Sequence, residues 1–193
     1  MTFFLILASY LLGAIPFGWL VGKSLKVDVR KTGSGNIGAT NVLRTLGPGP
    51  GAAVLVLDLL KGTAAVLIGQ AFSPDPLIVV LCGLSAIIGH SYPVYLGFRG
   101  GKGAATGLGV LLGVAPDIFV FAVLLFLVIV ALTRYVSVGS ILTAITVFIA
   151  FLLYARPLPY SVAALLAAVL IIARHRPNIK RLIAGTEPRL GER

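Results

Sequence analysis

Three polar stretches hold nearly all of the residues in this chain whose types and spacing suit chemistry. The first, Thr32 to Arg44, reads Thr-Gly-Ser-Gly-Asn-Ile-Gly-Ala-Thr-Asn-Val-Leu-Arg. It sets Gly33, Gly35 and Gly38 among the hydroxyls of Ser34 and Thr40, the amides of Asn36 and Asn41, and the guanidinium of Arg44. Glycines let backbone N–H groups approach an oxyanion, small polar side chains add donors, and a fixed cation supplies charge. The second stretch, Gly89 to Gly103, contains His90, and Lys102 set among Gly100, Gly101 and Gly103. The third, His175 to Glu187, contains His175 and Asn178. Such an inventory fits the gripping of an anion.

The usual owners of glycine-rich loops are excluded. Gly33-x-Gly35-x-x-Gly38 matches the dinucleotide fingerprint as a string, but that fingerprint needs a preceding strand, and an apolar membrane-length run precedes it here. Gly101-Lys-Gly103 is no P-loop: Gly103 replaces the hydroxyl residue, and Leu96 stands where the first glycine belongs. The chain has six carboxylates, none in a DxD or DxxD pattern, so a two-metal site is not expected. The Asp-Gly/Ala-Arg pattern of CDP-alcohol phosphotransferases and the His-x4-Asp of the soluble-facing glycerolipid acyltransferases are missing. Cys82 lies in an apolar run and is read as an inert buried thiol, not a nucleophile. His90 closes an apolar run, where a structural hydrogen-bonding role and a base are both open.

The elements that must position these residues are membrane helices. Of the 193 residues, 58% are hydrophobic and 11% charged, and the mean hydropathy is +1.04. The expectation is a single-domain, all-α polytopic membrane protein with seven transmembrane helices. They are placed at about Thr2 to Gly22, kinked at Pro16 and Gly18, then Ala52 to Phe72, Pro76 to Leu96, Ala104 to Val114, Asp117 to Thr133, Ser137 to Ala155 and Leu158 to Ala173. Lys23 to Lys31 reads as an interfacial segment, and Gly47-Pro-Gly-Pro-Gly51 as a turn. The fourth helix is short and rich in small residues, which suits a protein or cavity environment. Asp58 and Lys61 share a helical face and are expected to pair. Asn178 is expected to cap a short helix from Ile179 to Ala184, with Gly185 as the residue just past its end. Arg176, Lys180, Arg181 and Arg189 read as a basic surface facing headgroups, and Arg99 as a topology signal.

The formal charge of +10 points to anionic lipid and anionic substrates, not to nucleic acid. The segments after the first, third and fifth helices and the tail carry fourteen Lys and Arg; the even-numbered segments carry one. The positive-inside rule then puts the N-terminus outside and the C-terminus in the cytoplasm. All three polar stretches fall on the cytoplasmic side, as a shared site requires.

Gly33-Ser-Gly-Asn-Ile-Gly-Ala-Thr-Asn41 with Arg44, Gly89-His-x-x-Pro93 with Phe98-x-Gly-Gly-Lys-Gly103, and His175-Arg-x-Asn-Ile-x-Arg181 with Gly185 and Glu187 resemble the bacterial acyl-phosphate-dependent glycerol-3-phosphate acyltransferases. The resemblance covers all three stretches and the seven-span layout. It implies an enzyme of the bacterial inner membrane whose site faces the cytoplasm. The enzyme would transfer a fatty acyl group from acyl phosphate to the 1-hydroxyl of glycerol 3-phosphate, giving lysophosphatidic acid and phosphate, the first step of bacterial phospholipid synthesis. No cofactor, metal or covalent acyl-enzyme is expected. Membrane lipid and the enzyme that forms acyl phosphate are the expected partners.

On that reading Arg44, Lys102, Ser34, His175 and Asn178 hold the phosphate of glycerol 3-phosphate. Backbone N–H groups of Gly35, Asn36, Gly38, Thr40 and Asn41, with the Gly100, Gly101 and Gly103 loop, hold the donor head, and the acyl tail lies in a groove between helices. The proton of the attacking hydroxyl goes to His90, to His175 or to a phosphate oxygen of the donor. A transporter of organic phosphates shares the basic cavity, but no internal repeat is visible. A headgroup-binding structural protein would not need three such loops.

Overall fold

The computed structural model describes residues 1–191; Glu192 and Arg193, the latter counted above among the tail cations, lie outside the described residues. The first apolar run forms α1 (Thr2–Ala14) and α2 (Phe17–Ser24), broken at Ile15 and Pro16 because a proline cannot continue the hydrogen-bond ladder. This is the kink expected at Pro16. After the first polar stretch come α3 (Ala39–Leu46) and α4 (Pro48–Phe72). The turn expected over Gly47 to Gly51 shrinks to one residue. Gly47, at φ +92°, ends α3 and opens α4, while Pro48 and Pro50 sit in the first turn of α4, where no N–H is needed.

The third apolar run is α5 (Pro76–Ser91), which stops before Pro93 and gives way to a short 3-10 turn, Val94–Leu96. α6 (Ala104–Val114), α7 (Pro116–Thr133), α8 (Val136–Leu153), α9 (Leu158–Arg174) and α10 (Arg176–Ile183) complete the chain. Among the described residues five helical runs are long and apolar enough to cross a membrane: Thr2–Ser24, Pro48–Phe72, Pro76–Leu96, Pro116–Thr133 and Val136–Leu153. α9 joins them only when α10 is counted as its continuation across a 56° bend. α6, the fourth expected span, is only about 16 Å long at 1.5 Å per residue, against a hydrocarbon core of about 30 Å.

Large apolar side chains such as Phe3, Phe4, Leu124, Leu132 and Leu153 stand on the outside, as lipid contact allows. Inside, glycines set the helix spacing. α1 crosses α5 where Gly13 and Gly89 lie against backbone, and α4 crosses α6 where Gly62 meets Thr106 and Gly109 meets Leu59. A Cβ at any of these would overlap main-chain atoms, so the helices pack at the small-residue distance typical of membrane bundles. This contact holds the short α6 inside the bundle. An apolar cluster of Leu111, Ala115, Ile118, Ala122, Ala150 and Phe151 joins α6, α7 and α8. A second, Val29, Ile37, Val42 and Val54, supports the first polar stretch from below.

Candidate active site

The first polar stretch folds around one side chain. Asn41, 1% exposed, donates from Nδ2 to the carbonyls of Val29, Thr32 and Asn36 at 2.8–3.1 Å. Its Oδ1 accepts the N–H of Ser34 at 2.8 Å. This frame turns Ser34 and Asn36 into a cavity, and Gly38, Ala39 and Thr40, at the start of α3, line the same cavity. The first N–H groups of a helix have no partner within it and suit an anion. Two expected donors are already used: the Gly35 N–H goes to Thr32 and the Asn41 N–H to Gly38. Asn41 therefore builds the loop from inside.

The second stretch is held by groups outside itself. The Gly101 N–H donates to the His90 carbonyl at 3.0 Å, so it is not free for an anion. Arg174 Nε and Nη2 donate to the carbonyls of Gly101 and Gly100, each at 3.0 Å, and its guanidinium lies over the Tyr92 ring. Lys102 projects from this clamped loop. Burial lowers its pKa to about 8; Glu187 opposes this, while Arg181, Arg44 and Arg174 add to it. A bound anion would relieve that tension.

In the third stretch the expected cap is not made. α10 begins beyond His175, and Asn178 lies inside the helix, where its Nδ2 donates to Glu187 Oε1 at 2.6 Å. Gly185, at φ +68°, does stand just past the helix end; it donates to Leu182, and Thr186 to Arg181. Glu187 then gathers the region. Oε1 also accepts from Ser137 Oγ on α8, and Oε2 from Arg181 Nε, both at 2.8 Å. Burial works to raise its pKa, but the hydrogen bonds from Asn178, Ser137 and Arg181 outweigh it and hold the carboxyl below its ordinary value. Arg181 is thus tied into the site and does not belong to a free headgroup-facing surface. The same tail segment reaches Arg44, whose Nη2 donates to the Pro188 carbonyl at 2.9 Å.

His175 stands at the junction beyond α9, 3% exposed, with Nδ1 2.8 Å from the Ile171 carbonyl. A carbonyl only accepts, so Nδ1 carries the proton and Nε2 is a bare acceptor. Burial, then Lys102, push its pKa down to about 4, so the imidazole is neutral at neutral pH. His90 sits deeper, with its ring against Gly101 and Nδ1 3.5 Å from Asp58 Oδ1. The Asp58–Lys61 pair expected from spacing is present, at 2.8 Å.

Two cavities result. One, of about 400 Å³, is lined by Gly35, Gly100, Arg174, Arg176, Pro177 and Arg181 among others. The other, of about 420 Å³, starts at the polar stretches and runs down between α6, α7, α8 and α9 past Leu108, Val147, Phe151 and Ala164. They share Ser34, Asn36, Lys102 and Asn178. Ser34, Arg44, His90, Lys102, His175 and Asn178 all line the larger one, and Gly35 and Gly100 line the smaller; Gly101 lines neither and instead seats the His90 ring. Arg174, Ser137 and the carboxyl of Glu187 are the site residues that spacing did not single out. For Glu187 a signal existed: an acid set into a basic tail.

A cationic pocket shares a wall with a mostly apolar corridor in a bundle of membrane-length helices, the build of an integral membrane protein. Comparison with known proteins names the class. Residues 3–185 match the family model described as glycerol-3-phosphate acyltransferase. Glycerol-3-phosphate acyltransferase 2 of Moorella thermoacetica is 48% identical over 189 residues, covering 97% of each chain. The enzyme of that name from Gloeobacter violaceus is 46% identical over 190 residues, covering 96% of this chain and 93% of its own. The crystal structure of PlsY, described as an integral membrane glycerol 3-phosphate acyltransferase, superposes in its glycerol 3-phosphate form with a TM-score of 0.94 at 43% identity, covering 98% of this chain and 96% of that one. Its lysophosphatidic acid form gives 0.92 at the same identity, covering 98% and 95%. The chain belongs to the glycerol-3-phosphate acyltransferase family.

Proposed function

We propose that this protein is a single-domain enzyme that acylates the 1-hydroxyl of glycerol 3-phosphate with acyl phosphate as donor, releasing lysophosphatidic acid and phosphate. The observation that carries this reading is the shared wall. Ser34, Asn36, Lys102 and Asn178 border both the cationic pocket and the apolar corridor, so a phosphate headgroup and an acyl carbonyl can meet there. The relatives' name and the two ligand forms of PlsY support the acceptor and the product.

Arg44, Lys102, Ser34 and Asn178 are assigned to the acceptor phosphate; His175, whose Nδ1 proton goes to the Ile171 carbonyl and whose Nε2 only accepts, is not. The start of α3 and the Gly100 to Gly103 loop are assigned to the donor head, and the corridor to the acyl tail. The acceptor hydroxyl oxygen bonds to the acyl carbon, and the bond from that carbon to the phosphate oxygen breaks. The departing phosphate is a good leaving group, so positioning and charge neutralisation carry the catalysis without a covalent enzyme intermediate. The proton of the attacking hydroxyl passes to the departing phosphate, while the bare Nε2 of His175 accepts a hydrogen bond from the acceptor's other hydroxyl and orients the attack. His90, turned to Asp58 and Gly101, is not given the proton.

The charge asymmetry of the loops supports seven crossings, with α6 and α9 among them, an outside N-terminus and a site on the cytoplasmic face of a bacterial inner membrane. Purified protein in lipid, given acyl phosphate and labelled glycerol 3-phosphate with no metal added, should yield labelled lysophosphatidic acid. The same assay with acyl-CoA or acyl carrier protein should not. Product from a thioester donor alone, or uptake of label into sealed vesicles without product, would overturn the reading.

A further inference from the structure

We propose that Asp58, Lys61 and His90 form a membrane-embedded positioning group that fixes the two glycine-rich loops relative to each other. Asp58 and Lys61 lie one turn apart on α4, 1% and 3% exposed, with the ammonium 2.8 Å from the carboxylate. A buried ion pair is weak evidence for stability, because desolvation offsets most of the attraction. Ionisable groups inside a membrane bundle ordinarily have a task. What each of these touches beyond its partner identifies that task.

Lys61 reaches the first loop through the break in the first span. Its Nζ donates to the Ile15 carbonyl at 2.8 Å, just before Pro16, and lies 5.5 Å from the centre of the Phe17 ring. One residue further, Gly18 packs so closely on the Ile37 carbonyl that a Cβ there would overlap it, and Ile37 belongs to the first loop. The ammonium therefore pins the bend on which that loop rests. Asp58 reaches the second loop through His90. Its Oδ1 is 3.5 Å from His90 Nδ1, and the far edge of the imidazole lies on Gly101, beside Lys102. The His90 carbonyl also holds the Gly101 N–H. One turn of α4 thus ties both loops to a single buried centre. Lys102 and the Ser34 wall face the same cavities, so their separation is set from below by these three side chains.

None of the three is assigned a contact with substrate, so they are positioning residues. The assignment rests on the acyltransferase reading for one of its readouts, and the test uses a second that does not. The full chain in detergent or lipid is compared with Asp58→Asn, His90→Gln, the double variant Asp58→Asn/Lys61→Met, and each of these combined with Lys102→Ala. Misplacing a binding group by an ångström costs up to about a hundredfold. His90→Gln and Asp58→Asn should raise KM for glycerol 3-phosphate, and its calorimetric Kd, by about tenfold, with kcat changed far less. In the Lys102→Ala background the same changes should cost less than about twofold, because groups acting through one another are not additive.

The double variant buries no uncompensated charge and decides the matter if single variants fold poorly. A purely structural pair predicts that it recovers the wild-type constants; positioning predicts that its KM and Kd stay raised. Additive effects in the cycle, or wild-type constants in a folded double variant, would overturn the proposal. Coupling seen in the Kd of a protein that makes no product would sustain it while sinking the donor assignment.

Discussion

The two glycine-rich loops face one site but are built in opposite ways. The loop before α3 is self-contained: the partners of the Asn41 side chain lie within twelve residues of it. The Gly100 to Gly103 loop is held from outside, by Arg174 more than seventy residues away and by His90 on α5. The first is a local structure needing only its own residues and a floor of Val29, Ile37, Val42 and Val54. The second exists only once α4, α5 and α9 have assembled. On the proposed function, one loop is a preformed anion seat, and the other carries a cation whose place is set by the bundle. Damage to the first should therefore be intrinsic, and damage to the second adjustable.

The sharpest way to break this contrast is at Asn41. Asn41→Ala removes the shared partner of three carbonyls and one N–H, the Val29 carbonyl fully buried and the others part-buried, at a cost of roughly 1–3 kcal/mol. Both Tm and kcat/KM should fall, the latter by about a hundredfold or more, since the donors at the start of α3 lose their frame. Asn41→Asp keeps the acceptor for Ser34 but turns a carboxylate oxygen toward the three carbonyls, and should rescue nothing. Activity within about threefold of wild type in either variant would show that the loop does not depend on Asn41.

Arg174→Lys tests the second loop. Lysine keeps the charge but loses the planar fork that serves two carbonyls at once and stacks on Tyr92. KM for glycerol 3-phosphate should rise by about tenfold with Tm nearly unchanged, because only the placement of Lys102 relaxes. Equal losses of Tm here and at Asn41 would erase the distinction between the loops.

The same contrast explains what could be read from sequence. The gathering of the first stretch was legible because its polar residues are close in sequence: Ser34, Asn36 and Arg44 line one cavity. Its internal economy was not, since nothing in spacing tells an Asn41 that serves the loop from one that serves a ligand. Five of the seven expected spans were legible from hydropathy, and the break at Pro16 and the Asp58–Lys61 pair from local rules. The extent of the Gly47 to Gly51 turn was misjudged because proline is a helix starter as well as a breaker. Arg174 was passed over because its role comes from long-range contacts with the second loop; Glu187 was noted as part of the third motif, but its link to Ser137 on α8 could not be read from spacing. Asn178 was taken for a helix cap, but it lies inside α10 and gives one amide hydrogen to Glu187.

A pH titration separates the loops without mutation. Lys102, lowered by burial to about 8 from an ordinary 10.5, loses its charge as pH rises through that value, whereas Arg44 on α3 stays charged. KM for glycerol 3-phosphate should therefore climb several-fold between about pH 7.5 and 9.5, and Lys102→Arg should flatten the rise. Stability moves the other way. Between about 8 and 10.5 the unfolded chain binds more protons at this group than the folded one, so its contribution to stability grows with pH. His175, held near 4, should give no inflection around 6.5 in kcat/KM.

The smallest expected effect lies at the rim of the first loop and marks where its frame ends. Asp28 pairs with Arg30 at 2.8 Å, and it also accepts the Arg30 N–H. Both side chains are part-exposed, and neither takes part in the hydrogen bonds that centre on Asn41. Solvent competes for such a pair and side-chain entropy opposes it, so exposed pairs of this kind contribute little. Asp28→Asn should leave kcat/KM and KM for glycerol 3-phosphate within about twofold of wild type, because the pair stands outside the polar frame. A larger loss would mean that the seat for the anion extends through Val29 to this corner, and that the first loop leans on its interfacial flank as the second leans on the bundle.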